Sequence, residues 1–261
     1  MNDTLINALG DELYVAAKEC RALEPLTSRH ADLTVDDAYR IQQRVNARRI
    51  EAGERMIGKK IGVTSQVVMD MLGVYQPDFG MLSDAMLYRE GEAIPAASLI
   101  QPKAEGEIAF VLRHDLQGPG VSVADVLAAT AGVMACFEIV DSRIRDWKIR
   151  IQDTVADNAS CGVFVIGAAR VAPRALDLAA VKMDILKNGA HIASGTGAAV
   201  QGHPATAVAW LANTLGRFGI PFLAGEIILS GSLAPLLPIT PGDRFDMSLT
   251  GIGTASISFE A

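Results

Sequence analysis

The sequence predicts an α+β fold in which a mixed β-sheet is rolled into a barrel-like core behind an N-terminal helical cap. Helical periodicity is concentrated before residue 55, whereas strand-like segments dominate from residue 100 onward. This order differs from the regular alternation of strands and helices in a doubly wound sheet. With 261 residues, half of them hydrophobic, the chain is long enough for a large core. We expect a cap region over 1–80 and a β-rich catalytic domain over 81–261.

The first half of the chain contains recognisable helix and strand signals. Apolar periodicity predicts a helix over about 3–22, and a second helix follows Thr34 as N-cap, with acids in its first turn and arginines in its last. "GKKIGVTS" (58–65) predicts a short strand, after which Ser65 can cap a helix. "QPDFGML" (76–82) carries Pro and Gly, which predicts an ordered loop.

The second half contains most of the predicted strands. "EGEIAFVL", "MACFEIVDSR" and "SCGVFVIG" each have the length and composition of a strand. Asn188-Gly189 predicts the type I′ turn of a hairpin, because both residues tolerate a positive φ. Ser122 and Pro204 mark the beginnings of two further helices. These elements are those of a sheet interrupted by helices.

Composition and cysteine usage exclude several classes of protein. The net charge of −7 and the lack of a basic cluster argue against a nucleic-acid partner. Cys20, Cys136 and Cys161 are scattered without a CxxC motif, which is neither a disulfide framework nor a zinc ribbon and predicts a cytoplasmic protein. The sequence contains neither a secretory signal pattern nor an apolar run long enough for a membrane span.

Three glutamates on predicted strands are the first candidate site. Glu105 and Glu107 are two residues apart and so point to the same face of their strand. Glu138 points away from its apolar neighbours Phe137 and Ile139. Three such acids either face solvent or converge, and converging carboxylates require a compensating charge. An all-oxygen site suits Mg²⁺ or Mn²⁺. Zinc is disfavoured because the four histidines show no ligand spacing.

Two further segments are candidates for a polar pocket. Lys60 immediately precedes a small, apolar strand, so it is either an ordinary surface lysine or a buried group that can move protons. The segment 140–162 is rich in charged residues, so it is either a solvent-exposed surface segment or the wall of a polar pocket that includes Ser160. No GxSxG elbow or activated cysteine indicates a nucleophile, and no GxGxxG motif indicates a dinucleotide site.

Several long motifs give the chain a family resemblance over essentially its whole length. "GKKIGVTS", "MLGVYQPDFG", "IQPKAEGEIAFVL", "FEIVDSRIRDWKIRIQDTVADNASCGVFVIG" and "AGEIILSGSLAPLLPI" occur in one order. They resemble the 2-hydroxypenta-2,4-dienoate hydratases, also called 2-oxopent-4-enoate or vinylpyruvate hydratases, of the fumarylacetoacetate hydrolase-like superfamily. The resemblance implies a hydro-lyase of the meta-cleavage degradation of aromatic compounds. It would add water to 2-hydroxypenta-2,4-dienoate and form 4-hydroxy-2-oxopentanoate.

The resemblance also implies a role for individual residues. The family's metal ligands correspond to Glu105, Glu107 and Glu138, which would hold Mg²⁺ or Mn²⁺. Lys60 and Asp78, both contributed by the cap region, correspond to its proton-transfer groups. The pocket-lining positions correspond to Thr64, Leu72 and Ser160.

The sequence alone leaves alternative functions to be considered. The sister 2-oxo-3-hexenedioate (4-oxalocrotonate) decarboxylase has a similar chain, although "QPDFG" and the segment 142–162 resemble the hydratase version. A C–C hydrolase of the superfamily would need an additional acid–base dyad, and none is visible. A catalytically silent partner subunit of the decarboxylase would have no need for the acids or for Lys60. The resemblance further implies a homo-oligomer and a complex with the decarboxylase.

Overall fold

The computed structural model describes residues 1–261. Its helices are α1 (Asp3–Lys18), α2 (Leu26–Arg29), α3 (Val35–Glu51), α4 (Gln66–Leu72), α5 (Val123–Ala129), α6 (Ile151–Ala156) and α7 (Pro204–Gly216). Its strands are β1 (Met56–Gly62), β2 (Asp78–Ser83), β3 (Leu87–Tyr88), β4 (Ala93–Ile94), β5 (Lys103–Leu112), β6 (Thr130–Val140), β7 (Cys161–Ile166), β8 (Lys182–Lys187), β9 (Ala190–Thr196), β10 (Ile227–Ser232), β11 (Leu237–Pro238), β12 (Arg244–Leu249) and β13 (Gly253–Phe259).

The larger of two sheets has eight strands and is curled into a half-barrel. Its order is β2-β1-β10-β5-β6-β7-β3, and β11 pairs with β5. The sheet is mixed, because β1 runs parallel to β10 and β3 runs parallel to β7, whereas β5 is antiparallel to both of its long neighbours. The predicted α+β fold with a mixed, rolled sheet and an N-terminal helical region is therefore confirmed.

The smaller sheet packs against the larger one and shares its core. It has the order β4-β13-β12-β8-β9, and Asn188 and Gly189 form the predicted hairpin turn with φ values of 52° and 83°. One cluster of 38 buried side chains contains residues of both sheets and of α7. At Gly106 the two sheets approach so closely that a Cβ atom would lie 2.5 Å from Met183 Sδ and 2.8 Å from Met247 Sδ.

The N-terminal helices and α6 form a second hydrophobic cluster. Sixteen buried residues, mostly from α1, α3 and α6, make up this cluster. Thr34 caps α3 by accepting a hydrogen bond from the backbone N–H of Asp37, as predicted. α1 ends at Lys18, before the predicted residue 22, because Cys20 adopts a positive φ of 50° that terminates the helix.

One element differs from the sequence-based prediction. Asp78 to Ser83 form strand β2 rather than the expected loop over 76–82. β2 is antiparallel to β1, with Asp78 opposite Gly62 and Gly80 opposite Lys60. Backbone pairing with β1 therefore outweighs the turn preference of the Pro and Gly residues. The division into a cap over 1–80 and a catalytic domain over 81–261 stays a prediction, with β1 and β2 both lying in the large sheet.

None of the helices is both long enough and apolar enough to cross a membrane.

Candidate metal centre

The pairing of β5 with β6 brings the three predicted glutamates together. Glu105 lies directly opposite Glu138, and Glu107 lies opposite Cys136 on the same pair of strands. Because alternate residues of a strand share a face, all three carboxylates project from one side of the sheet. They are buried, with relative exposures of 6% for Glu105 and 0% for the other two. Glu105 and Glu107 thus share one face of β5, as their spacing predicts.

The arrangement of the carboxylate oxygens fits a divalent cation. One oxygen from each of Glu105, Glu107 and Glu138 lies within 4.8 Å of the other two. Oε1 of Glu107 and both carboxylate oxygens of Glu138 are buried without a hydrogen-bond partner. Buried anionic oxygens are costly unless they are paired with a charge or coordinate a metal. The oxygen-only donor set and its unpartnered atoms suit a hard ion such as Mg²⁺.

The protonation equilibria of the cluster reflect the same crowding of charge. Burial and the neighbouring charge of Glu138 raise the pKa of Glu105 to about 8. Burial, together with Glu138 and Glu105, also raises the pKa of Glu107 well above its usual range, although the Gly231 N–H opposes this by donating a 2.8 Å hydrogen bond. Without a cation, burial and mutual repulsion therefore favour the protonated forms of these two carboxylates.

Lys60 supplies the positive charge nearest to the cluster. Its Nζ lies 3.2 Å from Glu138 Oε1, an ion pair that lacks hydrogen-bond geometry. Burial alone would lower the pKa of Lys60, but the charges of Glu138 and Asp78 outweigh burial and leave the pKa above its usual range. Lys59, its neighbour on β1, points to the other face and pairs with Glu226 at 2.5 Å. Of the two lysines, only Lys60 therefore contacts the glutamate cluster.

Asp78 completes the polar wall at the beginning of β2. Burial raises the pKa of Asp78, although Lys60 and a hydrogen bond from Thr154 oppose the shift. Its Oδ1 atom is buried without a hydrogen-bond partner, and its Oδ2 atom accepts from Thr154 Oγ1 at 3.1 Å. A Cβ atom at Gly62 would overlap Asp78 Oδ1 and lie 3.3 Å from Lys60 Nζ. Gly62 therefore leaves the space into which these two polar groups project.

A narrow cavity of about 20 Å³ connects most of the predicted site residues. Its lining includes Lys60, Asp78, Glu105, Leu72 and Ser160. The volume is close to that of one water molecule, so the walls must move apart for a larger ligand. Two cavities of about 250 and 260 Å³ lie elsewhere, one against α1 and one between α3 and α7. Neither is lined by any of the three clustered glutamates, so the chemistry and not the cavity size identifies the site.

Thr64 is buried, but unlike Leu72 and Ser160 it does not line the narrow cavity. Its hydroxyl is buried without a hydrogen-bond partner and packs against Gly231, where a Cβ atom would overlap it. Gly231 has a φ of 108° and lies in the irregular region of β10, between the pairs Leu229–Ala109 and Ser232–Glu107. This bulge turns the Gly231 N–H toward Glu107, so Thr64 packs against the residue that donates a hydrogen bond to the acid cluster.

Sequence reasoning missed several residues that shape the site. Thr154 contacts Asp78, and Trp147 lines the cavity; both lie in the segment 140–162, a candidate pocket wall, but the sequence singles out neither of them. Asn158, Ala159 and Ser160 form a left-handed turn with φ values between 52° and 54°. The side chain of Asn158 stabilises this turn through two 2.9 Å hydrogen bonds to the Met81 backbone. Asn in the left-handed region is the one local signal that could have predicted it.

The fold and the site together define a class of protein: an α+β half-barrel with a buried carboxylate cluster on one face of its main sheet. The chain belongs to the fumarylacetoacetate (FAA) hydrolase C-terminal family, whose family model matches residues 59–259. This membership confirms the superfamily that the sequence motifs indicate.

Two hydratases and one decarboxylase are similar to this chain over most of its length. The chain is 64% identical to a 2-hydroxyhexa-2,4-dienoate hydratase of Comamonas testosteroni, over 97% of each chain. It is 62% identical to a 2-hydroxypent-2,4-dienoate hydratase of Pseudomonas putida, over 84% of this chain and 100% of the relative. Among solved structures, it resembles a 4-oxalocrotonate decarboxylase from Pseudomonas putida G7 complexed with magnesium and adipate. The TM-score is 0.95 and the identity 33%, over 99% of this chain and 98% of the other.

Proposed function

We propose that this protein is a divalent-metal-dependent hydratase that adds water to a 2-hydroxy-2,4-dienoate. The observation that carries the proposal is the convergence of Glu105, Glu107 and Glu138 beside Lys60 and Asp78. The relatives at 62% and 64% identity are both named as hydratases of such dienoates. For the five-carbon substrate the product is 4-hydroxy-2-oxopentanoate, an intermediate of the meta-cleavage degradation of aromatic compounds.

Glu105, Glu107 and Glu138 would hold the cation, and we infer Mg²⁺ or Mn²⁺ from their hard oxygen ligands. A divalent cation held there would act as a Lewis acid toward the 2-oxo acid end of such a substrate and would help to orient it. A decarboxylase structure of similar fold contains magnesium, and a second one contains calcium. The unpartnered oxygens of Glu107 and Glu138 support the same assignment in this chain.

The remaining polar residues supply the proton transfers that the reaction needs. Ketonisation moves the proton of the 2-hydroxyl group to C5, and hydration then adds OH to C4 and a proton to C3. Lys60 and Asp78 are both buried on the cavity wall. Burial raises the pKa of Asp78, as expected for a general acid or base, whereas the neighbouring carboxylates raise the pKa of Lys60 and keep it protonated. Thr64, Leu72 and Ser160 would hold the substrate.

The test is a direct assay of the reaction. Freshly generated 2-hydroxypenta-2,4-dienoate is supplied with Mg²⁺, the loss of its ultraviolet absorbance is followed, and the product is identified by mass spectrometry. We expect 4-hydroxy-2-oxopentanoate, and we expect EDTA to abolish its formation. Recovery of unchanged substrate, or an equal rate in the presence of EDTA, would contradict the proposal.

The second candidate is a 4-oxalocrotonate decarboxylase, which is favoured by the structural similarity at 33% identity. The same assay with 2-oxo-3-hexenedioate distinguishes the two activities, because decarboxylation releases CO₂ without hydrating the pentadienoate. A silent partner subunit would show neither activity. We expect hydration, since the hydratase relatives are about twice as similar in sequence.

We also infer a homo-oligomer and a complex with a decarboxylase of the same fold. Both follow from the family resemblance, and the second is consistent with the structural similarity to such an enzyme. Light scattering of the purified protein, alone and mixed with the decarboxylase, measures both. The three cysteines are free, which supports a cytoplasmic location.

A further inference from the structure

Asp78, Thr154 and Ser160 form a chain of three hydrogen-bonded side chains. Thr154 Oγ1 lies 3.1 Å from Asp78 Oδ2 and 3.2 Å from Ser160 Oγ. All three side chains are buried, with relative exposures of 3% or less. Thr154 and Ser160 both line the cavity, and the Thr154 hydroxyl contacts both Asp78 and Ser160. Because its hydroxyl is bonded to these two groups, Thr154 is placed to act through Asp78.

The direction of these hydrogen bonds follows from counting hydrogens. A threonine hydroxyl has one hydrogen to donate, and a carboxylate can only accept. Thr154 therefore donates to Asp78 Oδ2, and the contact with Ser160 is one in which Thr154 accepts the serine hydrogen. With this arrangement Oδ2 is occupied, whereas Oδ1 has no hydrogen-bond partner and lies over Gly62 beside Lys60 Nζ.

The fold holds both ends of this chain in place. α6, which carries Thr154, is tied to α2 because Asp153 accepts hydrogen bonds from the backbone N–H and the hydroxyl of Thr27, at 3.0 and 2.7 Å. Ser160 is held by the left-handed turn whose first residue, Asn158, is bonded to β2. β2 also carries Asp78, so donors and acceptor belong to one connected unit.

We propose that Thr154, backed by Ser160, is a positioning residue that fixes the Asp78 carboxyl and directs its mobile proton to Oδ1. When Asp78 takes up a proton, Oδ2 is already engaged as an acceptor, so the proton resides on Oδ1, the oxygen that faces Lys60 and the cavity. Without the threonine hydroxyl, the carboxyl group can rotate and place its proton on either oxygen. This inference rests on the proposed function, because Asp78 matters only if the site transfers protons.

The test replaces the hydroxyl while keeping the shape of the side chain. Thr154→Val should lower kcat for dienoate hydration by about ten- to a hundred-fold, the effect of losing one hydrogen bond to an ionisable group. KM and the Mg²⁺ affinity measured by calorimetry should stay within about two-fold, since valine keeps the shape of the cavity wall and the lost hydroxyl is bonded to Asp78 and Ser160, not to a metal-ligand candidate. Thr154→Ser keeps the hydroxyl and should restore kcat to within about three-fold of the parent protein.

A matched control and a double-mutant cycle exclude a merely structural role. Thr130 is equally buried, and its hydroxyl donates to the Val126 carbonyl far from the site, so Thr130→Val should leave kcat unchanged. In an Asp78→Asn background, Thr154→Val should cause no further loss. A kcat for Thr154→Val within two-fold of the parent, or equal losses in both backgrounds, would overturn the inference.

Failure of the proposed function and failure of the variant to fold give different results. If the parent protein does not hydrate the dienoate, the proposed function fails before any variant is compared. If Thr154→Val does not fold, Thr154→Ala removes the same hydroxyl while reducing volume, and its comparison with Thr154→Ser decides the question. Equal kcat values for the alanine and serine variants would contradict a role for the hydroxyl.

Discussion

Glu105, Glu107 and Glu138 place three carboxylates around one point, with a single ammonium group, that of Lys60, in contact with them. One lysine cannot offset three buried negative charges, so in the absence of a cation the cluster retains protons. A bound divalent ion would replace those protons and remove the repulsion. Two predictions at the scale of single residues follow from this balance.

The first concerns Glu107, the least exposed ligand candidate on β5. Glu107→Gln preserves the side-chain shape and an acceptor for the Gly231 N–H but removes one negative charge. Because changes next to metal ligands cost about 10- to 100-fold in affinity, loss of a ligand charge should weaken Mg²⁺ binding by at least about 100-fold. Titration calorimetry measures this. Glu260→Gln, on the exposed C-terminal segment, is the control. Equal Mg²⁺ affinities in the two variants would remove Glu107 from the ligand set.

The second concerns the pH dependence of stability in protein freed of metal by EDTA. Between about pH 4.3, the unfolded pKa, and its folded pKa of about 8, Glu105 holds a proton only in the folded chain. The folded state therefore binds more protons, and stability must fall as pH rises through this window. We expect Tm to decrease from pH 6.5 to 8.5. This interval lies above the pKa of Asp157, which burial raises to about 6.

Glu105→Gln provides the matching variant for that measurement. An amide does not titrate, so the decline of Tm with pH should become shallower in this variant. Scanning calorimetry of both proteins at equal ionic strength gives the comparison. A Tm that rises over the interval in the parent protein, or an identical decline in both, would show that Glu105 does not hold the proton.

At the same scale, the sequence could predict the acids but not all of their surroundings. The i, i+2 spacing of Glu105 and Glu107 specifies a shared face because strand geometry is local. Glu138 follows the same logic on its own strand. Thr154 could not be found in this way, since its role depends on a contact between residues 76 positions apart in sequence. A single hydroxyl in a short helix has no periodicity that reveals its partner.

At the scale of elements, helix capping signals were more reliable than turn signals. Ser65 begins α4 as predicted, because a cap acts on groups within its own helix turn, and Gly73 ends the helix in the left-handed conformation with a φ of 65°. Strand β2 was predicted to be a loop, because Pro77 and Gly80 are typical of turns. Its partner β1 supplies the hydrogen bonds that make it a strand, and no local pattern encodes that pairing.

A prediction at this scale concerns the packing of the two sheets at Gly106. Gly106→Ala places a methyl group against Met183 and Met247, on the face opposite the acids. Overpacking of this kind should lower the free energy of unfolding by about 1–3 kcal/mol, measured by urea denaturation. In a Met183→Ala background the methyl group gains space, so the same change should cost at least about 0.5 kcal/mol less. Additive losses would indicate that the glycine serves another purpose.

At the scale of the whole molecule, the fold class followed from the order of elements, whereas the closure of the sheet did not. Helices followed by strands indicate an α+β fold without any knowledge of pairing. The parallel pairing of Lys59 with Ile228 joins distant parts of the chain and inserts β10 between β1 and β5. That pairing carries Lys60 to the acids, so the site exists only in the complete fold.

The last prediction therefore concerns the response of the whole molecule to metal. The three glutamates lie on β5 and β6, the most extensively paired strands of the main sheet, so a cation bound there stabilises only the folded chain. By linkage, Mg²⁺ at one hundred times its Kd should add about 2.7 kcal/mol to the free energy of unfolding. Calorimetry should show a higher Tm that increases further with Mg²⁺ concentration, and K⁺ at equal ionic strength should not reproduce it. Glu107→Gln should lose most of this increase. A Tm independent of Mg²⁺ in the parent protein would mean that the carboxylates are neutralised by protons and Lys60 alone.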